Sequence, residues 1–205
     1  MKKLTFASSI ILMLAIQCTF GQSFEVMPGT KRLFVDAQWL KQFEDTQWSL
    51  FSRSRATDDY HSSTSLFTGG YLNYTSSRGL GGTLVGRISS IGSGMDAGVH
   101  FFKGNPKMMI YALASFELSS ESSYSWFSIF RYYPQLSTNW KFYSSLELFS
   151  NFVQDTHNAS VQRIRLGVDR NGFQFGLAAN FSGLGRQYNM TEMNPGIFIR
   201  KDFKK

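Results

Sequence analysis

The sequence predicts an all-β chain, a closed antiparallel up-and-down transmembrane β-barrel of about twelve strands, and three observations carry that prediction. Side-chain character alternates with a period of two along most of the chain, which sends successive residues to opposite faces of a sheet. Short clusters of Gly, Asn, Asp, Ser and Pro separate the alternating segments. Twenty Phe, nine Tyr, four Trp and eighteen Gly stand beside only four Pro, and mean hydropathy is mildly negative at -0.19. Aromatic and Gly/Ser enrichment at that hydropathy fits strands that show one face to lipid and the other to a polar interior.

The first residues read as an export leader. Lys2 and Lys3 precede the apolar run 10–16 and the small and polar stretch Thr19-Phe20-Gly21-Gln22. That run is far shorter than the ~20 residues a spanning helix needs, so residues 1–21 are expected to be a cleaved signal peptide and residues 22–205 the outer-membrane barrel domain. Cys18, the only cysteine, would leave with the leader, because Gln17 occupies the place where a lipoprotein signal carries Gly, Ala or Ser. The mature domain would then have no disulfide and no thiolate metal site. Nineteen basic residues would face fourteen acidic ones, a modest excess with no Lys/Arg run suited to nucleic acid.

Four segments alternate clearly. Met95, Ala97, Val99 and Phe101 oppose Asp96, Gly98, His100 and Phe102. Over residues 140–152, Trp140, Phe142, Leu146, Leu148 and Phe152 oppose Lys141, Tyr143, Ser145, Glu147, Phe149 and Asn151. Ile164, Leu166 and Val168 alternate with Arg163, Arg165 and Asp169, and Phe173, Phe175, Leu177, Ala179 and Phe181 with Gln174, Gly176, Ala178 and Asn180. Seven weaker strands are predicted over residues 33–43, 47–56, 64–76, 82–90, 107–118, 124–133 and 196–203. Ser76-Ser77-Arg78-Gly79, Ile91-Gly92-Ser93-Gly94, Gly104-Asn105-Pro106, residues 119–123 and Asp169-Arg170-Asn171-Gly172 supply the turns. Eleven strands are thus visible, and because single-chain bacterial barrels have an even number, twelve are predicted. The missing one is placed within Leu184 to Met190, and ten strands is the alternative count.

The chain closes with Asn194-Pro195-Gly196-Ile197-Phe198-Ile199-Arg200-Lys201-Asp202-Phe203 before two lysines. This segment resembles the C-terminal strand signal of bacterial outer-membrane barrels, and the whole is similar to small barrels of Bacteroidota. The resemblance implies residence in the outer membrane of a Gram-negative cell. It also implies contact with its lipid, and recognition by the barrel-assembly machinery through the strand ending at Phe203.

With the apolar set facing lipid, the lumen-lining candidates are Arg87, Asp96, His100, Glu117, Lys141, Glu147, Arg163, Arg165, Asp169, Arg200 and Asp202. Two uses fit them: a narrow porin-like channel with a charged constriction that favours anions, or a structural barrel whose lumen an ion-pair network fills. A barrel enzyme acting on lipid A or phospholipid is a second class of reading, for which His61-Ser62-Ser63 is the weak pointer. A third is a soluble, secreted lipocalin-like barrel, which would need an apolar interior. His61, His100 and His157 show no metal-ligand spacing. No cofactor or metal is expected, and Trp39, Trp48, Trp126, Trp140, Tyr132 and Tyr133 are read as interfacial aromatics.

Overall fold

The computed structural model describes residues 22–118, 122–188 and 190–203; the expected leader with Cys18, part of the 119–123 turn and Lys204-Lys205 lie outside them. Thirteen strands run β1 (Gln22–Pro28), β2 (Arg32–Gln42), β3 (Trp48–Asp59), β4 (Thr64–Thr75), β5 (Leu80–Ser89), β6 (Gly92–Asn105), β7 (Met108–Glu117), β8 (Ser123–Tyr132), β9 (Gln135–Ser137), β10 (Trp140–Val153), β11 (Thr156–Arg170), β12 (Phe173–Leu184) and β13 (Met190–Phe203). Each neighbouring pair is antiparallel, β8 pairs directly with β10, and β1 pairs with β13, so twelve strands close on themselves. The short β9 is an addition inside the β8–β10 connection, paired with the start of β10. Closure removes the open edges that lipid would not tolerate.

The twelfth strand is not where the sequence pattern was expected to hide it. Residues Arg186–Tyr188 form a 3-10 turn, and β13 begins at Met190, earlier than residue 196. The missing strand is β1, at the start of the expected mature chain. It is only seven residues long, and Ser23, Glu25 and Met27 point inward while Phe24 and Val26 alternate outward. Because β1 is short, β13 outruns it, and Asn194 bridges the remaining seam. Its Oδ1 accepts from the backbone N–H groups of Lys31 (2.9 Å) and Arg32 (3.2 Å), and its Nδ2 donates to the Arg32 carbonyl (3.1 Å). One side chain thus stands in for ladder bonds that would otherwise be missing.

Turn chemistry follows the residues available. Asn171 and Gly172 both adopt positive φ (54° and 78°), as the two central positions of a type I′ hairpin require. Gly92, by contrast, opens β6, so the β5–β6 turn is tighter than the run Ile91-Gly92-Ser93-Gly94 suggests.

Outward positions form an apolar girdle. Leu72, Leu84, Val99, Phe116, Phe130, Leu146, Leu166, Leu177 and Ile197 lie on successive barrel strands and are exposed, Val99 and Leu177 by more than two thirds. Soluble monomers rarely expose contiguous apolar surface of that extent. The middle of the interior is the reverse, with buried Glu25, Asp36, Arg53, Glu147, Arg165 and Arg200.

Part of the interior is nevertheless packed. Tyr143, Gly167, Gly176 and Phe198 are consecutive partners across β10, β11, β12 and β13, and the two rings close over the two glycines with centroids 5.7 Å apart. Met27, Phe34 and Ala178 complete this cluster. A Cβ on Gly176 would stand 2.2 Å from the Leu166 carbonyl oxygen and 2.5 Å from the Gly167 Cα. Gly176→Ala is therefore expected to cost about 1–3 kcal/mol through overpacking against backbone. Urea titration of the folded barrel checks it, with Gly70→Ala, at a glycine whose Cβ would meet nothing within 4 Å, as the control.

Candidate functional site

Strand register sorts the lumen residues into three zones along the barrel axis. At the end where β1 starts and β13 stops lies an open vestibule of about 760 Å³. At the far end a smaller cavity of about 110 Å³ is lined by Arg32, Phe34, Thr57, Arg163, Asn180 and Glu192, among others. The two share no lining residue. Between them lies a waist of ionised side chains.

The waist is built from strands on opposite sides of the barrel. Arg53 on β3 donates from Nε to Asp36 Oδ1 (2.7 Å) and from Nη2 to Asp36 Oδ2 (3.0 Å), and reaches across the lumen to Glu147 Oε2 (2.7 Å). Arg55, two residues on and on the same face, contacts Asp36 Oδ1 (3.2 Å) and Glu147 Oε1 (2.6 Å). Arg163, the cross-strand partner of Glu147, pairs with that same carboxylate. Glu147 thus holds three guanidinium groups, while Arg53 Nη1 and Arg163 Nε stay buried without a partner.

Glu25 serves the neighbouring sector. Arg165 donates to it from Nε (2.9 Å) and Nη2 (2.8 Å), and also bonds Asn180 Oδ1 (2.9 Å). Arg200 is 3.9 Å from Glu25, donates to Asp202 Oδ1 (2.9 Å) and donates to Ser23 Oγ (2.6 Å). Arg163 and Arg165 also lie over the Phe34 ring, 5.0 and 5.7 Å from its centroid, so planar cations, aromatic face and carboxylates form one layer. Five guanidinium groups meet four carboxylates in it, Asp202 being the nearest partner of Arg200.

The remaining candidates from the sequence lie toward the two ends, on the same inward face by register. Arg87 reaches Asp96 (3.1 Å) and Glu117 (2.9 Å) at the far rim. Lys141 and Asp169 are cross-strand partners, and Gln174 links Asp169 (2.9 Å) to Asp202 (2.7 Å). His100 is held between Thr75 Oγ1 (2.9 Å) and Thr83 Oγ1 (2.7 Å), with its ring stacked on Tyr111. Sequence reading missed Glu25, Asp36, Arg53 and Arg55, all central to the waist.

Of the other motifs, His61 lies in the β3–β4 connection, where its backbone N–H donates to Asp59 Oδ1 (3.0 Å). His157 is in β11. Its Nδ1 must donate to the Gly185 carbonyl (2.8 Å), which leaves Nε2 to accept from Ser160 Oγ (2.8 Å). The ring is stacked under Tyr188 with centroids 4.0 Å apart, so the pair ties the 3-10 turn to the barrel wall. Among the described residues no group of three His, Cys, Asp or Glu could hold a metal ion.

No protein-family model matches the chain, and no curated protein matches its sequence. Several solved structures share its fold. The NanC porin superposes with a TM-score of 0.57 at 9% identity, over 91% of this chain and 100% of that one. The KdgM porin in complex with disordered oligogalacturonate gives 0.55 at 7% identity, over 90% and 99%. The KdgM porin gives 0.54 at 6% identity, over 90% and 99%. At such identities the likeness is one of fold: a closed barrel of the same extent.

Proposed function

We propose that this chain is an integral outer-membrane barrel whose lumen is a narrow, charge-lined solute path favouring anions, with the arginine-rich waist as its constriction. The excess of guanidinium over carboxylate groups in that waist carries the reading, because fixed charge at the narrowest point of a pore sets which ions enter it. The apolar girdle supports membrane residence, and the fold shared with the NanC and KdgM porins supports both. The KdgM porin's complex with oligogalacturonate supplies a precedent for an anion bound to a barrel of this extent. Export through a cleaved leader, assembly through the strand ending at Phe203, and kinship with Bacteroidota barrels belong to the same proposal and rest on the sequence signals alone.

Two measurements test it. Outer-membrane recovery with a mobility shift on heating would match a closed membrane barrel; recovery in the soluble fraction would defeat the proposal. Purified protein in a planar bilayer is then expected to conduct with anion preference. Absence of any conductance would leave a closed structural barrel filled by its ion pairs. Incubation with lipid A and phospholipid is expected to yield no product, from wild type and His61→Ala alike.

Lipid contact has its own test. Leu177 projects outward from the middle of β12. Leu177→Arg is expected to cost about 2–4 kcal/mol of folding stability in vesicles, the penalty for an arginine near the bilayer midplane. The same substitution on a water-facing barrel would change little, so an unaltered urea midpoint would place the girdle in solvent.

A further inference from the structure

Arg131 differs from every other inward-facing arginine among the described residues. Arg32, Arg53, Arg55, Arg87, Arg163, Arg165 and Arg200 each have a carboxylate within 4 Å. Arg131 instead donates from Nη2 to a neutral oxygen, Gln38 Oε1 at 3.2 Å, on the opposite side of the barrel. Arg200 Nη2 approaches that same amide oxygen at 3.5 Å. Arg131 Nε is buried and has no partner, a feature shared with Arg53 Nη1 and Arg163 Nε, but those two groups already hold carboxylates. Two cations thus converge on one uncharged acceptor.

That convergence lies in the wall of the 760 Å³ vestibule, a volume within the ~300–1,000 Å³ typical of small-molecule sites. The wall from which Arg131 itself projects, on β7 and β8, is otherwise apolar. Register places Met109 beside Arg131, Tyr111 beside Ile129 and Leu113 beside Phe127, and Phe51, Phe102, Met109, Tyr111, Phe127 and Ile129 all line the cavity. Tyr111 and Phe127 pack edge to face. Asp202 is the one carboxylate in the lining, set against Arg131 and Arg200, so the cavity has a net positive charge and one greasy side.

We infer that the vestibule is a binding site for an amphipathic organic anion. Such a ligand has a carboxylate that takes the place of Gln38 Oε1 between Arg131 and Arg200, and an apolar body that lies on the Phe51–Tyr111–Phe127–Ile129 wall. A carboxylate there would give Arg131 the charged partner it lacks, and charge-assisted bonds to guanidinium groups are about twice as strong as neutral ones. The apolar wall rejects a purely hydrophilic anion by offering it no contacts. Binding at this site does not require that the waist conduct.

The test uses the folded barrel in phospholipid nanodiscs, free of detergent, titrated calorimetrically with 2-naphthoate, with decanoate, and with the neutral analogue 2-naphthalenemethanol. Empty nanodiscs measure partition into lipid. Saturable one-to-one binding of naphthoate is expected, about tenfold tighter or more than the alcohol. Arg131→Gln is expected to erase that preference while leaving the alcohol's affinity alone. Ile129→Glu, which puts a negative charge on the apolar wall, is expected to weaken naphthoate as well, and retention of the heat-dependent mobility shift shows that each variant is folded. Comparison of decanoate with naphthoate tells an acyl-chain ligand from an aromatic one. Equal binding of acid and alcohol, or an acid preference that survives Arg131→Gln, would overturn the inference. Loss of conductance with binding intact would count against the channel reading alone.

Discussion

Glu147→Gln is expected to destabilise the barrel more than any other single charge removal in the lumen. The carboxylate is 5% exposed and is shared by Arg53, Arg55 and Arg163. The amide keeps the shape but removes the charge, leaving Asp36 to balance Arg53 and Arg55 and leaving Arg163 with none. Breaking a buried ion pair by neutralising one partner costs about 3–5 kcal/mol, chiefly because the stranded charges stay desolvated. Here three cations are stranded at once, although movement toward either cavity would rehydrate some of them. The control is Glu117→Gln at the far rim, whose partner Arg87 has a third of its side chain in solvent; a pair so exposed is worth about 1 kcal/mol or less. Urea titration of both variants in vesicles, followed by tryptophan fluorescence, measures the difference. Equal midpoints would mean that water reaches the waist as freely as the rim, and would remove the premise that it is a constriction.

The ease of reading each strand from the sequence tracks the purity of its outward face. On β6, β11 and β12 the outward set is almost wholly apolar, so Asp96, Arg163, Arg165 and Asp169 stand out against it as the other face. On β3 the outward positions Ser52 and Ser54 are polar, and Ser54 bonds Thr68 of β4 outside the barrel (3.2 Å). With both faces polar, the period-two signal that would have set Arg53 and Arg55 inward is lost. Asp36 was recoverable, since Val35, Ala37 and Trp39 flank it and Gln38 as an apolar face. Glu25 was hidden differently: β1 has seven residues, too few to register as a span of ~9–11, and it begins where the leader was expected to end. That the strand count had to be even gave the number correctly but could not say which end lacked a strand. Contacts across the lumen, such as Arg55 with Glu147 or Arg131 with Gln38, join residues about ninety positions apart. No local pattern contains such pairs; they follow only from closure.

Reversing charge at the waist is expected to invert ion selectivity. Arg163 and Arg165 face the lumen from one strand, and their carboxylate partners are Glu147 and Glu25. The double change Arg163→Glu with Arg165→Glu turns five guanidinium groups against four carboxylates, Asp202 included, into three against six. The fixed charge of the narrowest zone thereby changes sign, and the reversal potential in a salt gradient is expected to move from the anion side to the cation side. Charges held in a low-dielectric wall are screened less than exposed ones, so the inversion is expected to persist at a salt concentration that abolishes any effect of Lys141→Glu near the barrel mouth. The double variant also sets like charges together and lowers stability, so the neutral pair Arg163→Gln with Arg165→Gln is the necessary companion. It removes two positive charges without adding negative ones, and its reversal potential should fall between the other two. A conducting barrel whose reversal potential ignored all three substitutions would falsify the assignment of the waist as the selective zone.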